Sequence, residues 1–295
     1  MNPTPASSLI CFGEILWDCL PAGLFLGGAP ANVGYHLGRH GCPTKIATAI
    51  GNDFLGQEVI RRVEGWGAST ELIAVVDDVP TGVVQVDASI PTRPIYTIVE
   101  NVAWDRIPFS DAFCRASQTA PAIVFGTLSL RSQVNRDTLD KALKACSGLR
   151  VLDINLRPPF VQPDIIEFAA SRADVLKLND QEVLLGTSST TLPEIKDLVG
   201  HASRWSKKYN LHTVCITCGE RGAGLLRDGE WHWVDGRPVE VKDTVGAGDA
   251  FLAALLSGLL HGAPAQETLA RACRTGEFVA ASHGATPAYD AASIE

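Results

Sequence analysis

The segment DTVGAGDAF, residues 243–251, sets two carboxylates, Asp243 and Asp249, around a valine and a run of residues with almost no side chain. The stretch FLAALLSGLL that follows is apolar nearly all round, so it reads as a buried helix. The first amides of such a helix have no intrahelical partner and carry the positive end of its dipole. Gly246, Ala247 and Gly248 leave those amides unshielded, and an anion can approach the backbone closely. Asp249 would stand in the first turn, in the same space. A hydroxyl held there could attack a phosphoryl group, with Asp249 taking its proton and the amides stabilising the developing charge. An acidic first turn after a glycine turn is also an ordinary helix start. Other segments must therefore bear on the choice.

A second glycine cluster, LGGAPANVGYHLGRHG at 26–41, has Gly27 and Gly28, a proline near the helix start and Asn32 in the first turn. It describes another loop-to-helix junction open enough for a small ligand to touch backbone. Asp18 stands just upstream in GEILWDCLP, and Asp18 with Asn32 offers acceptors and donors suited to a polyol. Asn155 and Arg157 in DINLRPPF follow one apolar run, and Asn179 and Glu182 in LKLNDQEV follow the next. Arg157 could meet a phosphate, and Glu182 could organise Mg²⁺ through water, since Mg²⁺ keeps much of its hydration shell. A surface arginine and a helix-start asparagine with a capping carboxylate fit the same letters. Thr217, Gly219 and Gly222 in TCGERGAG mark one more strand end.

These residues need a scaffold that gathers strand ends. LICFGEIL, TKIATAI, AIVFG, RVLDIN, DVLKLN and HTVCIT read as buried strands, and RDTLDKALKAC shows helical period through Leu139, Ala142, Leu143 and Cys146. The alternation predicts an α/β fold with a mostly parallel sheet covered on both faces, whose ligands gather beyond the carboxyl ends of the strands. From Val79 to Val99 the period changes to two with Pro and Gly punctuation, as in a small antiparallel sheet. No linker divides the 295 residues, so one domain with a small β appendage is expected. ATPAYDAASIE at the end is expected to be loose or packed on the surface.

A formal charge of −8 gives little support to a nucleic-acid partner. MNPTPASSLI lacks the pattern of a signal peptide, and no apolar run has membrane-spanning length, so a cytoplasmic protein without a membrane partner is expected. The eight cysteines lie mostly in apolar stretches, as reduced thiols do. The close pair Cys215 and Cys218 falls on opposite faces of a strand, which disfavours a shared metal. GNDFLGQE has Gln57 where a phosphate-loop lysine would stand and reads as a turn into a helix, and no G-x-G-x-x-G follows the first strand.

Taken together, the segments resemble the ribokinase-like, or pfkB, family of carbohydrate kinases over almost the whole chain. DTVGAGDAF is similar to that family's C-terminal signature and GGAPANVGYHLGRHG to its N-terminal one, with Gly34 where Ala, Ser or Thr is usual. The resemblance implies a ribokinase-like fold with a β-sheet lid contributed by about 18–28 and 79–101, and ATP and Mg²⁺ as cofactors. It implies Asp249 as catalytic base, Gly246 to Gly248 as anion hole, and Asp18, Gly28 and Asn32 as sugar ligands. Asn179 and Glu182 match the N-x-x-E element near Mg²⁺ and phosphate, and Thr217, Gly219 and Gly222 match the nucleotide-binding strand and turn. Asp243 and the carbonyl of Val245 match a site for a monovalent cation such as K⁺, with AASHGAT completing that loop. Only AGLFL separates Pro21 from Gly27, which implies a truncated lid or one completed by a partner subunit, and a homodimer through the lids is expected. GEILWDCLP, GGAPANV and NVAWDRIP look like the fructokinase branch, with ribose, 2-keto-3-deoxygluconate or a noncatalytic binding role as alternatives.

Overall fold

The computed structural model describes residues 7–20, 22–87 and 95–294. Its first half runs β1 (Leu9–Phe12), β2 (Leu16–Leu20), β3 (Gly23–Gly27), α1 (Ala29–Arg39), β4 (Thr44–Gly51) and α2 (Phe54–Gly65). There follow β5 (Ile73–Val76), β6 (Gly82–Asp87), β7 (Ile95–Ile98), α3 (Asp111–Thr119), β8 (Ala122–Gly126), α4 (Gln133–Ala145) and β9 (Leu149–Asp153). The second half runs α5 (Pro163–Ala170), β10 (Val175–Asn179), α6 (Ile195–Tyr209), β11 (Thr213–Thr217), β12 (Gly222–Arg227), β13 (Glu230–Asp235), α7 (Ala247–Leu260) and α8 (Ala265–Ala280).

Nine strands form the main sheet in the order β13-β12-β11-β10-β9-β8-β1-β4-β5. All neighbours are parallel except the antiparallel pairs β11–β12 and β12–β13. Five of the six expected strands lie in it, with the first half of LICFGEIL as β1, and alternate residues feed two cores, as a doubly covered sheet requires. On one face Leu139, Ile165 and Leu198 from α4, α5 and α6 pack with Phe125, Leu152 and Leu176. On the other, Val33 and Leu37 of α1 and the whole apolar body of α7 pack with Val124, Val151 and Val175. Cys215 belongs to the second core and Cys218 to the first, so the two thiols point away from each other. No described helix is long and apolar enough to cross a membrane.

LICFGEIL is not one strand. At Gly13, where φ is +145° and an added Cβ would meet Pro30 at 2.7 Å, the chain leaves the main sheet, and Leu16 begins a second one. This second sheet has the order β3-β2-β6-β7 and is the small β appendage. β2 and β3 pair antiparallel from Leu16 opposite Gly27 to Leu20 opposite Gly23. The lid has four strands, and its first, β2, begins at Leu16, the last residue of LICFGEIL. Residues 88–94 of the expected alternating segment lie outside the described residues.

GNDFLGQE is a turn into a helix, as expected: Asp53 caps α2 by accepting the Gly56 N–H at 2.8 Å. The C-terminal stretch is docked rather than loose. Tyr289 and Ala291 are buried, and His36 of α1 joins the Tyr289 hydroxyl at 2.9 Å and the Ala285 carbonyl at 2.9 Å. The stretch thus packs on the surface and covers a fully buried histidine.

Candidate active site

α7 starts where its sequence says it should, and the start is crowded on one side and open on the other. Gly246 sits at φ +80°, and a Cβ there would lie 2.6 Å from the Ala285 carbonyl oxygen, so only glycine fits. Gly248 meets only Lys177, whose Nζ would be 3.5 Å from an added Cβ. The N–H of Ala247 turns back to the Thr244 carbonyl at 3.3 Å, which leaves the open wall of this turn to Gly248. Asp249 is 7% exposed. Its Oδ2 accepts a hydrogen bond of 2.8 Å from the Asn32 Nδ2, across 217 residues of sequence. Burial raises the Asp249 carboxyl to about 6, against the lowering effect of that bond, with the Asp153 charge adding to the rise.

The glycines before α1 have an equally local cause. Gly28 has φ +113°, and a Cβ there would strike the Glu14 carbonyl at 2.4 Å; a Cβ on Gly27 would meet the Asp18 carboxylate at 2.7 Å. Asp18 thus rests against the bare backbone of the lid hairpin. Burial raises its pKa while the Arg157 charge opposes the rise.

Two cavities meet at α7. A cavity of about 1000 Å³ lies between the lid and the main sheet and is lined by Asp18, Gly27, Gly28, Asn32, Arg157 and Asp249, with Asp243, Val245 and Gly246 at its edge. A second, of about 740 Å³, lies against α8 and is lined by Thr217, Gly219, Gly222, Ala247 and the loop from Arg237 to Val241. Thr244 and Gly248 line both. Two ligands could therefore face each other across one glycine, beside one carboxylate.

Not every expected residue enters these cavities. Asn179 Oδ1 accepts the N–H groups of Gln181 and Glu182 at 2.9 and 2.8 Å. Glu182 answers with one oxygen on the Asn179 N–H and the other on the Leu156 N–H, each at 2.8 Å. This is the reciprocal capping arrangement, and neither side chain lines either cavity. Asp243 uses its oxygens on the N–H groups of Val245 and Gly284, at 3.0 and 3.2 Å, and so ties the turn before α7 to the C-terminal loop. Arg157 is exposed and reaches into the lid cavity.

Three residues of the lid cavity were overlooked in sequence: Glu14, Asp153 and Lys177. Lys177 Nζ contacts both oxygens of Asp153, at 2.9 and 2.8 Å, in a buried pair. Glu14 is buried with Oε2 unpartnered, and burial pushes its carboxyl up to about 7 against the pull of nearby N–H groups and Arg157. The available signal was a charged residue inside a run predicted to be covered on both faces, where charges occur only when paired or used.

The family model for pfkB family carbohydrate kinases matches residues 11–292. The chain belongs to the pfkB family. It is 26% identical over 271 residues to the fructokinase of Klebsiella pneumoniae, covering 85% of this chain and 84% of that one. Its fold superposes on the 2-dehydro-3-deoxygluconokinase of Thermotoga maritima with a TM-score of 0.85 at 20% identity, covering 97% and 98% of the two chains. A fructokinase of Vibrio cholerae solved with fructose, ADP and calcium gives a TM-score of 0.81 at 20% identity, with 98% of each chain covered. Membership makes the pair of cavities intelligible: a carbohydrate kinase needs a place for a sugar and a place for a nucleotide, with the phosphoryl path between them.

Proposed function

We propose that this pfkB kinase phosphorylates free D-fructose on its primary O6 hydroxyl, with the sugar in the lid cavity and ATP in the cavity against α8. The observation that carries the reading is Asp249, buried, held by Asn32 and standing beside the one glycine that both cavities share. ATP and Mg²⁺ are the cofactors. When bound, they supply the phosphoryl group and neutralise part of its charge. Mg²⁺ keeps much of its hydration shell and is commonly held by phosphates with one or two carboxylates. Glu182 lies behind the cavity wall with both oxygens already accepting backbone N–H groups, and as a carboxylate that feels the Asp153 and Lys177 charges it is the group we assign to that hydration shell, through bridging water.

The protein's own steps follow from the geometry. Asp18 and Asn32 accept and donate hydrogen bonds to sugar hydroxyls and set the primary hydroxyl against Asp249. Asp249 takes the hydroxyl proton as the new sugar O–P bond forms and the bond from phosphorus to ADP breaks. The Gly248 amide and its neighbours at the head of α7 stabilise the charge on the group in transit. Arg157 lies at the open side of the lid cavity, where it offsets the carboxylates, and Thr217, Gly219 and Gly222 leave backbone for the nucleotide. Asp243 and the Val245 carbonyl are the residues we assign to a K⁺ site.

Fructose is favoured by the Klebsiella fructokinase relationship and by a lid cavity rich in carboxylates, which suits neutral hydroxyls better than a phosphorylated sugar. The test is ADP release from Mg-ATP across fructose, ribose, 2-keto-3-deoxygluconate and fructose 6-phosphate. A kcat/KM highest for fructose supports the reading; a clearly higher value for the phosphosugar, or for another free sugar, overturns the substrate. We also propose a homodimer joined through the lids, because β3 is an edge strand that exposes Leu24 at 49% and Phe25 at 45%. Light scattering showing a fully active monomer at micromolar concentration would contradict it.

A further inference from the structure

Lys177 is out of place in β10. Its strand neighbours Leu176 and Leu178 are fully buried, and its own side chain is 7% exposed. Asp153 is its register partner on β9, so the pairing is set by the parallel sheet itself. A buried ion pair of this kind is weak evidence of stabilisation, since two apolar residues of similar volume commonly hold a core as well or better. Its location says more. An ammonium has three N–H donors, and its recorded bonds are the two to Asp153. Nζ stands against the bare face of Gly248, and Lys177 lines the lid cavity at the wall shared with the cavity against α8. Burial works against the ammonium's charge, but Asp153, then Glu182 and Asp249, hold its pKa above the usual lysine value, so it stays protonated. The charged groups that act on Lys177 are the acids Asp153, Glu182 and Asp249, while Arg157 acts on Asp249 and Glu14. Lys177 is thus the buried cation beside Gly248, whereas Arg157 is exposed at the open side of the lid cavity.

We propose that Lys177 is a catalytic residue, gripped by Asp153 so that its remaining N–H binds a nonbridging oxygen of the phosphoryl group as that group passes over Gly248. The inference rests on the kinase reading above. Lys177 transfers no proton: the hydroxyl proton goes to Asp249, one O–P bond forms, one breaks, and the ammonium only offsets charge. Such a contact strengthens as charge spreads over the equatorial oxygens, so it should act on kcat more than on ground-state binding.

The test uses the full chain. Lys177→Met alone strands the Asp153 charge, so the informative variant is the neutral pair Lys177→Met with Asp153→Asn. Tm, steady-state kinetics with the best sugar, and calorimetric binding of Mg-ADP with and without aluminium fluoride in the presence of that sugar are measured together. The expected result is a Tm within a few degrees of the parent, ADP affinity within about threefold, kcat lower by ~10²–10³, and loss of most of the affinity gained on adding fluoride. Near-parental kcat with intact analogue binding would show a structural charge pair only and overturn the proposal. If the double variant does not fold, Lys177→Arg keeps the charge but not the compact point donor. At unchanged Tm and ADP affinity it should lose at least about tenfold in kcat together with analogue affinity, and parental values in all of these overturn the proposal. A parent protein that turns over no sugar and gains nothing from fluoride refutes the kinase reading itself. An active parent with indifferent Lys177 variants refutes only this inference.

Discussion

The two cavities that meet at Gly248 are built from different materials. The lid cavity is walled by side chains that ionise: Glu14, Asp18, Asp153, Arg157, Lys177 and Asp249. The cavity against α8 is walled mainly by glycines, Ala223, Ala247, Ala280 and apolar residues such as Phe251, Val239 and Val241. On the lid side, burial has moved Asp249 to about 6 and Glu14 to about 7. On the other side, the defining features are positive φ at Gly219 and Gly222 and the absence of Cβ atoms. The lid cavity thus gathers buried charges around Asp249, while the α8 cavity is mostly bare backbone and apolar surface, with Glu220, Arg221, Arg237 and Glu277 as its charged lining. The same kind of substitution should have opposite signatures in the two halves.

Asp249→Asn should show the largest effect. It keeps shape and still offers an acceptor to Asn32, but it removes the proton acceptor, so kcat should fall by ~10²–10⁴ while ATP affinity changes little. Retention of near-normal kcat with every accepted sugar would reduce Asp249 to a helix-start residue. The same variant should be more stable at neutral pH. A carboxyl whose folded pKa is raised favours the folded state only while protonated, and that contribution is lost as pH rises from about 4 through about 6. Removing the charge should return on the order of 1–3 kcal/mol at pH 7, read as a higher denaturant midpoint.

Gly222→Val tests the backbone half. Its Cβ would lie 2.1 Å from the Val234 carbonyl, at φ +114°, so β12 and β13 must separate at the mouth of the α8 cavity. We expect ATP KM to rise by at least about tenfold, sugar KM to move much less, and stability to fall by ~1–3 kcal/mol. An equal rise in both KM values would break the division of labour between the cavities.

Asp18→Asn should be milder and fall on the other substrate. With the Gly27 approach preserved, sugar KM should rise by about tenfold while ATP KM stays, consistent with one charge-assisted hydrogen bond. The pH profile should show the smallest change near neutrality. Because Asp249 must be ionised to act as base, kcat/KM should hold above about pH 7 and fall toward half near pH 6. A profile flat to pH 5 would mean that another group accepts the proton.

The sequence alone determined what depends on local chemistry. Alternation of apolar runs predicts the doubly covered sheet, because strand and helix periods are properties of a few consecutive residues. The GAGD turn followed by a wholly apolar helix predicts an open helix start, because backbone exposure depends on the absence of neighbouring Cβ atoms. The glycine cluster before α1 singles out Asp18 and Asn32 separately, the pfkB resemblance joins them to Asp249 and Gly248, and all four line one cavity. Tertiary structure decided everything that depends on partners far apart in the chain. Only the parallel register of β9 and β10 sets Asp153 beside Lys177, and only the packing of α1 on α7 sets Asn32 on Asp249. Asn179 and Glu182 illustrate the converse: their spacing suited both a metal-proximal pair and a capping box, and Glu182 spends one oxygen on the N–H of Asn179 at the end of β10 and the other on the N–H of Leu156 beyond β9. The lid's first strand was hidden for a similar reason, since the turn at Gly13, at φ +145°, lies where Pro30 of α1 leaves no room for a Cβ, a neighbour that only folding brings there. A residue's type states what chemistry it can do; burial and partners, which set its charge and its aim, exist only after the chain has folded.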